Sequence, residues 1–549
     1  MVDVNVTPFE IAVRTRHGVT VRADVYLPRG AKGPLPVLLC ASPYQKSLRR
    51  LPVNWVFAFI EYGPMQFYLD RGYAYVIVDV PGSGVSEGNF DFVSREEGEA
   101  IHDVIEFVAQ QAWSIGKIAM IGQSYLCWSQ WNAARTRPPH LTTIVPYDGA
   151  TDMYRDWMYQ GGIPALLFLG IWGMGSVMLQ HQAEGHDIYG GNRHLMIPDI
   201  YAHPLDDAWQ RRRAPFWELD QVDIPVFSIG VWGKATLHLR GNVLGYERVR
   251  GPKQLLITHP DSWPGAQKLF ADPEFHEREI LPWYEHHLKG IANGVMQRPP
   301  VRFFVNGEGE YRAADAWPPS DARPAAFYLT GAKSGVVRSL NDGSLAETPP
   351  TAAAESTSWI YPDPLWSVAG VTTFDANGIP DHTARVNTYT TSAFDRDREF
   401  TGHGVLVLHA SSDQCDFDLF VKVSVLSPGG PHGFRPRKVT QGWLRASHRA
   451  EDPALTREMR PFHAHQVVEP VLPGRPYELR LELLPMSFLV RSGERLRLEI
   501  TNHESLIIDA PMTHWYGQKV GTDTYYHDKA HPSRLVLPER PRSSQDPAR

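Results

Sequence analysis

Cysteine is scarce in this chain. Three residues, Cys40, Cys127 and Cys415, are spread over 549 positions. No disulfide framework can staple such a fold, and a reducing compartment, the cytoplasm, is the expected setting. An excess of positive charge is also missing: the formal net charge is −7, which argues against a nucleic-acid footprint. No phosphate-cradling glycine loop leads into a helix with the required lysine. The one carboxylate-dense run, Asp413-Gln-Cys-Asp416-Phe-Asp418, lacks the glycine and closing glutamate of a calcium loop. Neither a metal nor a cofactor is expected. Met1–Val6 has no basic segment followed by an apolar core, so no secretory leader is expected. Charge is absent altogether from Trp157 to Gln182, a length that could cross a bilayer. Gly161, Gly162, Pro164, Gly170, Gly173 and Gly175 interrupt it, and it reads instead as an apolar roof over a binding site, with no membrane span.

What the chain does contain is length, tryptophan and two kinds of periodicity. Its 549 residues, 16 of them tryptophan, exceed one ordinary core and call for two or three domains. Ile11, Val13 and Thr15 alternate into His17-Gly18, and Val19, Val21, Ala23 and Val25 alternate out, a hairpin pattern. Leu35–Cys40, Tyr73–Val80, Ile118–Ile121, Leu141–Pro146, Ile224–Gly230 and Gln254–Thr258 are apolar runs suited to strands covered on both faces. Helical spacing between them, as in Glu96–Gln111, implies a mainly parallel sheet. The alternation breaks over 149–221, a glycine- and tryptophan-rich insertion, resumes over 222–310, and gives way from 311 to period-two strands such as Leu479-Arg-Leu481-Glu-Leu483. The expected organisation is an α/β core (1–148 and 222–310), a helical cap (149–221) and a C-terminal all-β jelly roll (311–549) with frayed residues after Pro538.

Two serines compete for the role of nucleophile. Gly84-Val-Ser86-Glu-Gly88 satisfies G-x-S-x-G literally, whereas Gly122-Gln-Ser124-Tyr-Leu126 does not. Ser86 lies in a glycine-dense stretch with no room for a helix, which reads as a loop. Ser124 stands between the apolar run Ile118–Ile121 and a helix-compatible stretch to Ala134, the strand–turn–helix setting that a nucleophile elbow needs. Context therefore selects Ser124.

With those pieces placed, the chain resembles the group of cocaine esterases and X-prolyl dipeptidyl peptidases, which includes α-amino acid ester hydrolases and glutaryl-cephalosporin acylases. The resemblance is carried by Ala41-Ser-Pro-Tyr-Gln-Lys46, Asp79-Val-Pro-Gly-Ser-Gly-Val-Ser-Glu-Gly88, Gln111-Ala-Trp-Ser-Ile-Gly-Lys117, Tyr311-Arg-Ala-Ala-Asp-Ala-Trp-Pro318 and His531-Pro-Ser-Arg-Leu-Val-Leu-Pro538. It implies an α/β-hydrolase domain with a cap and a jelly roll, and hydrolysis of an ester or amide through an acyl-serine on Ser124. It also implies an oxyanion hole from the Tyr44 hydroxyl and the Tyr125 backbone N–H. Three positions depart from the family pattern. Cys127 replaces the usual glycine three residues after the nucleophile. Gly233, in Gly230-Val-Trp-Gly-Lys234, stands where the family has its triad aspartate. Ser262 stands where it has its histidine.

Replacements must then come from nearby. His259, at the end of the strand Gln254–Thr258, is the expected base; His238, in a helix-like stretch, competes, and His276, His286 and His287 follow. Asp148, ending the first strand after the elbow, is the expected acid, with Asp152, Asp156 and Asp261 as further candidates. A helix-capping or substrate-binding role for Asp148 stays open. Trp157, Phe168, Trp172 and Met174 in the insertion, with Trp232, are expected to line an apolar acyl pocket. The partner implied is a small ester or amide. Acyl transfer, X-prolyl aminopeptidase action, a silent ligand-binding relative and homo-oligomerisation stay open.

Overall fold

The computed structural model describes residues 4–46, 61–178, 196–336, 339, 341–361, 386–430, 433–502, 504, 514 and 521–541. The chain divides into two compact units: Met1–Trp157, Leu169–His203 and Asp207–Phe303 form the first, and Met158–Phe168, Pro204–Asp206 and Phe304–Arg549 the second. The break expected at residue 311 therefore falls at Phe303. Val301–Val305 lies parallel to Lys253–Thr258 and belongs to the first sheet. Of the 149–221 insertion, Met158–Phe168 and Pro204–Asp206 cluster with the second unit and the rest with the first.

In the first unit the strands are β1 (Phe9–Arg14), β2 (Thr20–Tyr26), β3 (Leu35–Ser42), β4 (Ala74–Asp79), β5 (Ser114–Gln123), β6 (Leu141–Tyr147), β7 (Val226–Val231), β8 (Lys253–Thr258) and β9 (Val301–Val305). Their spatial order is β1-β2-β4-β3-β5-β6-β7-β8-β9. The β1–β2 and β2–β4 pairs are antiparallel, and every pair from β4–β3 onward is parallel. The buried runs explain this: β4 is buried at all six positions and β7 likewise, as strands need when helices cover both sheet faces. Helix α1 (Arg95–Ala109) opens at Ser94, whose side chain accepts from the Glu97 N–H, and has Glu96 and Glu97 in its first turn, satisfying orphan donors and the helix dipole together. Helix α2 (Tyr125–Ala134) follows β5, and α3 (Arg240–Arg248) and α4 (Trp263–Ala271) follow β7 and β8.

The second unit is mainly β, with an apolar core cluster that includes Phe327, Tyr389, Phe400, Leu481, Leu498 and Leu537. Arg398–Ser412 pairs with Tyr477–Val490 over most of its length, and Asp418–Pro428 pairs with Phe434–Arg445. The strand Arg534–Arg540 is paired, not frayed, through Arg540. Asp418 of the acidic run is engaged by Arg445, at 2.7 and 2.9 Å. Asp416 accepts from the Ser447 hydroxyl at 2.6 Å, and Asp413 from the Thr522 N–H at 2.9 Å.

Among the described residues no helix is long and apolar enough to cross a membrane. The uncharged 157–182 stretch is divided between short helical turns and a two-residue hairpin at Tyr159–Gln160 and Ile163–Pro164. Its residues 179–182 lie outside the described residues.

Candidate active site

The bend between β5 and α2 is built by sterics. Gly122 has φ 139°, and a Cβ there would come within 2.3 Å of the Leu126 side chain, so glycine is required for the helix to fold back on its strand. Ser124 sits at φ 60°, ψ −117°, a region that costs a non-glycine residue of order 1–3 kcal/mol and clusters at functional sites. The consequence is visible in burial: from Ile118 to Arg135 every residue is buried except Ser124. Ser86, by contrast, is buried, donates to the Asp79 carbonyl at 2.7 Å and accepts from the Arg22 N–H at 2.9 Å. Its hydroxyl is consumed in tying the glycine loop to β2.

Asp148 ends β6 beside the elbow. The Ser124 N–H donates to the Asp148 carbonyl at 3.0 Å, and the Asp148 N–H to the Ile229 carbonyl of β7 at 2.8 Å. The Asp148 carboxylate is fully buried. It accepts from Gln123 Nε2 (2.9 Å), faces Lys234 Nζ (3.1 Å) and meets Nδ1 of His238 at 3.0 Å. His238 lies in the turn Ala235–Leu239 that leads into α3. Asn242, one turn later, fixes that turn against β6: Oδ1 accepts from the Gly149 N–H at 2.9 Å and Nδ2 donates to the Pro146 carbonyl at 3.0 Å. The imidazole meets Trp128 edge-on with ring centroids 5.7 Å apart, and the Trp128 N–H donates to the Ser124 carbonyl at 3.0 Å. His238 Nε2 is buried and has no hydrogen-bond partner. Asp148 thus fixes the Nδ1–H tautomer and leaves Nε2 able to accept a proton.

Electrostatics agree with that assignment. Burial raises the Asp148 carboxyl, but the Lys234 and His238 charges and the hydrogen bonds from His238 and Gln123 together outweigh it and bring it to about 2. Burial lowers His238; the Asp148 charge offsets this in part and Lys234 adds to it, so the ring stays below its ordinary value and neutral near pH 7. Glu61, inconspicuous in the sequence, is 2 % exposed. Burial and Asp148 push it up, Lys234 and a hydrogen bond from Ser124 pull it down, and it ends at about 8.

His259 is exposed at the end of β8, and the imidazole on Asp148 is that of His238. The remaining candidates have different duties. His276 is held between the Tyr68 hydroxyl and the Phe270 carbonyl, each at 2.7 Å. Asp152 pairs with Arg155 and Asp156 with Arg240, both at 2.8 Å, and Asp261 is exposed. Two of the three positions that depart from the family pattern are neighbours: a Cβ on Gly233 would lie 2.4 Å from the Ser262 nitrogen. Ser262 caps α4 by accepting from the Gly265 N–H at 3.3 Å. Cys127 is buried beneath Gly149, where a Cβ would lie 2.6 Å from Sγ; burial raises its thiol, which makes it inert.

Tyr44 follows β3, the neighbour of β5, and its ring meets Tyr125 edge-on with centroids 5.9 Å apart. Trp172 Nε1 donates to the Tyr44 hydroxyl oxygen at 2.9 Å. The Tyr125 hydroxyl donates to Glu97 at 2.7 Å and accepts from the Val93 N–H at 3.2 Å. Trp157 stacks on Trp128 at 5.3 Å and meets Trp172 edge-on at 5.4 Å. Trp232 is buried in the turn after β7. Phe168 is buried too but clusters with the second unit, and the side chain of Met174 lies outside the described residues.

Residues 17–262 match the family model for the X-Pro dipeptidyl-peptidase (S15 family), and residues 293–536 match the model for the X-Pro dipeptidyl-peptidase C-terminal non-catalytic domain. Cocaine esterase of Rhodococcus sp. is 26 % identical over 91 % of this chain and 92 % of its own. A CocE/NonD family hydrolase from Staphylococcus aureus superposes with a TM-score of 0.80 at 24 % identity, covering 96 % of this chain and 93 % of its own. An α-amino acid ester hydrolase gives a TM-score of 0.75 at 17 % identity over 97 % and 96 %, a likeness of fold.

Proposed function

We propose that this chain, a serine hydrolase whose residues 17–262 match the X-Pro dipeptidyl-peptidase (S15 family) model, cleaves the ester, or amide, of a small apolar acyl group through an acyl-Ser124 intermediate. His238 Nε2 takes the Ser124 proton as Oγ attacks the carbonyl carbon. Asp148 holds the imidazole in its tautomer and stabilises the imidazolium. The Tyr44 hydroxyl and Tyr125 N–H receive the developing oxyanion. The tetrahedral intermediate then collapses, His238 passes the proton to the leaving oxygen or nitrogen, and water repeats the sequence on the acyl-enzyme to release the acid. The aromatic surface of Trp157 and Trp172 favours an apolar acyl group.

The observation that carries this reading is the buried Asp148–His238 pair, with its outer nitrogen unpartnered, beside the one unburied residue of the elbow. A fluorophosphonate probe tests it. Labelling mapped by mass spectrometry should fall on Ser124, vanish in His238→Ala and persist in His259→Ala. Labelling that survives in His238→Ala but disappears in His259→Ala would restore His259 as the base.

A further inference from the structure

The two tyrosines at the elbow differ in how their hydroxyls are engaged, and the difference assigns a direction to one proton. Tyr125 donates to the Glu97 carboxyl group, so its phenolic hydrogen is committed there. Tyr44 is approached by the indole of Trp172, with Nε1 to Oη at 2.9 Å and both residues buried. An indole N–H can only donate. The Tyr44 oxygen must therefore be the acceptor, and its own hydrogen is directed elsewhere.

We propose that Trp172 is a positioning residue for the hydrolytic reaction: its indole N–H fixes the Tyr44 hydroxyl so that the phenolic hydrogen points to the oxyanion, and polarises that O–H so that it donates more strongly in the transition state. This rests on the reading of Tyr44 as an oxyanion donor. Two physical points support it. A hydroxyl rotor in a buried site spends time in unproductive orientations unless an acceptor or donor pins it, and pinning in advance is what makes oxyanion stabilisation effective. A donor placed on the phenolic oxygen also strengthens the bond that its own hydrogen makes, because chains of hydrogen bonds polarise one another where the dielectric is low. The indole is itself held in place by its neighbours. Trp172 stacks on Tyr125 at 6.1 Å and contacts Trp157 and Trp128 edge-on at 5.4 and 5.9 Å. Trp172 belongs to the Leu169–Met178 segment within the 149–221 insertion, so that segment takes part in the chemical step as well as lining a pocket.

The experiment is a double-mutant cycle on kcat with a p-nitrophenyl ester, using Tyr44→Phe, Trp172→Phe and the pair. Tyr44→Phe is expected to lower kcat by about 10²–10³-fold, and Trp172→Phe by about tenfold, the worth of one hydrogen bond. In the Tyr44→Phe background Trp172→Phe should have no further effect on kcat, whereas any effect on KM from lost acyl contact should be the same in both backgrounds. Equal losses of kcat in both backgrounds would overturn the proposal, because Trp172 would then act by packing. Unchanged kcat in Tyr44→Phe would instead remove Tyr44 from the oxyanion hole and the proposal with it, an outcome distinct from failure of the Trp172 role alone. Should Trp172→Phe fail to fold, β-(3-benzothienyl)alanine at 172 keeps the ring shape and deletes only the N–H. It should reproduce the tenfold loss, and full activity with that replacement sinks the inference.

Discussion

His238 stands in the turn that leads from β7 into α3 and His259 just past the end of β8, and the two differ in burial and in partner. One is buried, bonded through Nδ1 to a carboxylate and unpartnered at Nε2; the other is exposed beyond its strand. The strand-end position alone does not confer the role. A base needs an orienting acid on its far side, and Asp148 faces β7. On the proposed assignment, and relative to the pattern implied by Gly233 and Ser262, the acid would follow β6 where β7 was implied and the base would follow β7 where β8 was implied. A side chain at Gly233 would meet the Ser262 backbone, with its Cβ 2.4 Å from the nitrogen, and the Gly233 N–H donates to the Pro260 carbonyl at 2.7 Å.

The comparison can be broken most directly by removing each histidine. His238→Ala should lower kcat/KM by roughly 10⁴–10⁶-fold, while His259→Ala should stay within about twofold, as expected of an exposed side chain; similar losses in the two variants would erase the distinction. Removing only the acid sharpens it. Asp148→Asn keeps the shape but presents an amide to Nδ1, and a loss of about 10⁴-fold in kcat is expected, measured with folding checked by circular dichroism.

A smaller effect is the pH profile. The free enzyme needs neutral His238, whose value lies below the ordinary one, so the acid limb of kcat/KM should fall below pH 6.5. Glu61 ionises at about 8 beside Ser124, Lys234 and Asp148, and a negative charge there opposes the oxyanion. An alkaline limb near pH 8 is expected, and Glu61→Gln should abolish it while leaving the acid limb in place. The sign for stability follows from the same group. Its folded value lies above 4.5, so its contribution is full below pH 4.5 and is lost as pH rises to about 8. Urea titrations of Glu61→Gln should accordingly depend less on pH across that window. An unchanged slope would show that other groups dominate.

Much of the fold was legible because it is written in local patterns. The apolar runs named every strand from β3 to β8 within two residues at most ends, apart from the earlier start of β5 at Ser114, and the helical spacing over Glu96–Gln111 corresponds to α1. Ser124 was distinguished from Ser86 by its flanking strand and helix. Trp157 and Trp172 were picked from composition and do meet. His238 was passed over because its setting in Ala235–Leu239 read as a helix with a partly buried histidine. It is instead fully buried, against an Asp148 carboxylate that no local pattern brings to it. Glu61 and Lys234 carried no signal at all, since each is an ordinary charged residue until the fold buries it.

The chain by itself determined the elbow: Gly122 and the strand–helix junction force the Ser124 backbone into a bend, and sterics between neighbours suffice for that. It could not determine which histidine serves it. That choice depends on the parallel pairing of Tyr147 with Ile229 and on the grip of Asn242 on Pro146 and Gly149, contacts between residues about ninety positions apart. Electrostatic pairing acts over a few ångströms, so only the folded chain can decide which charges come close enough to matter.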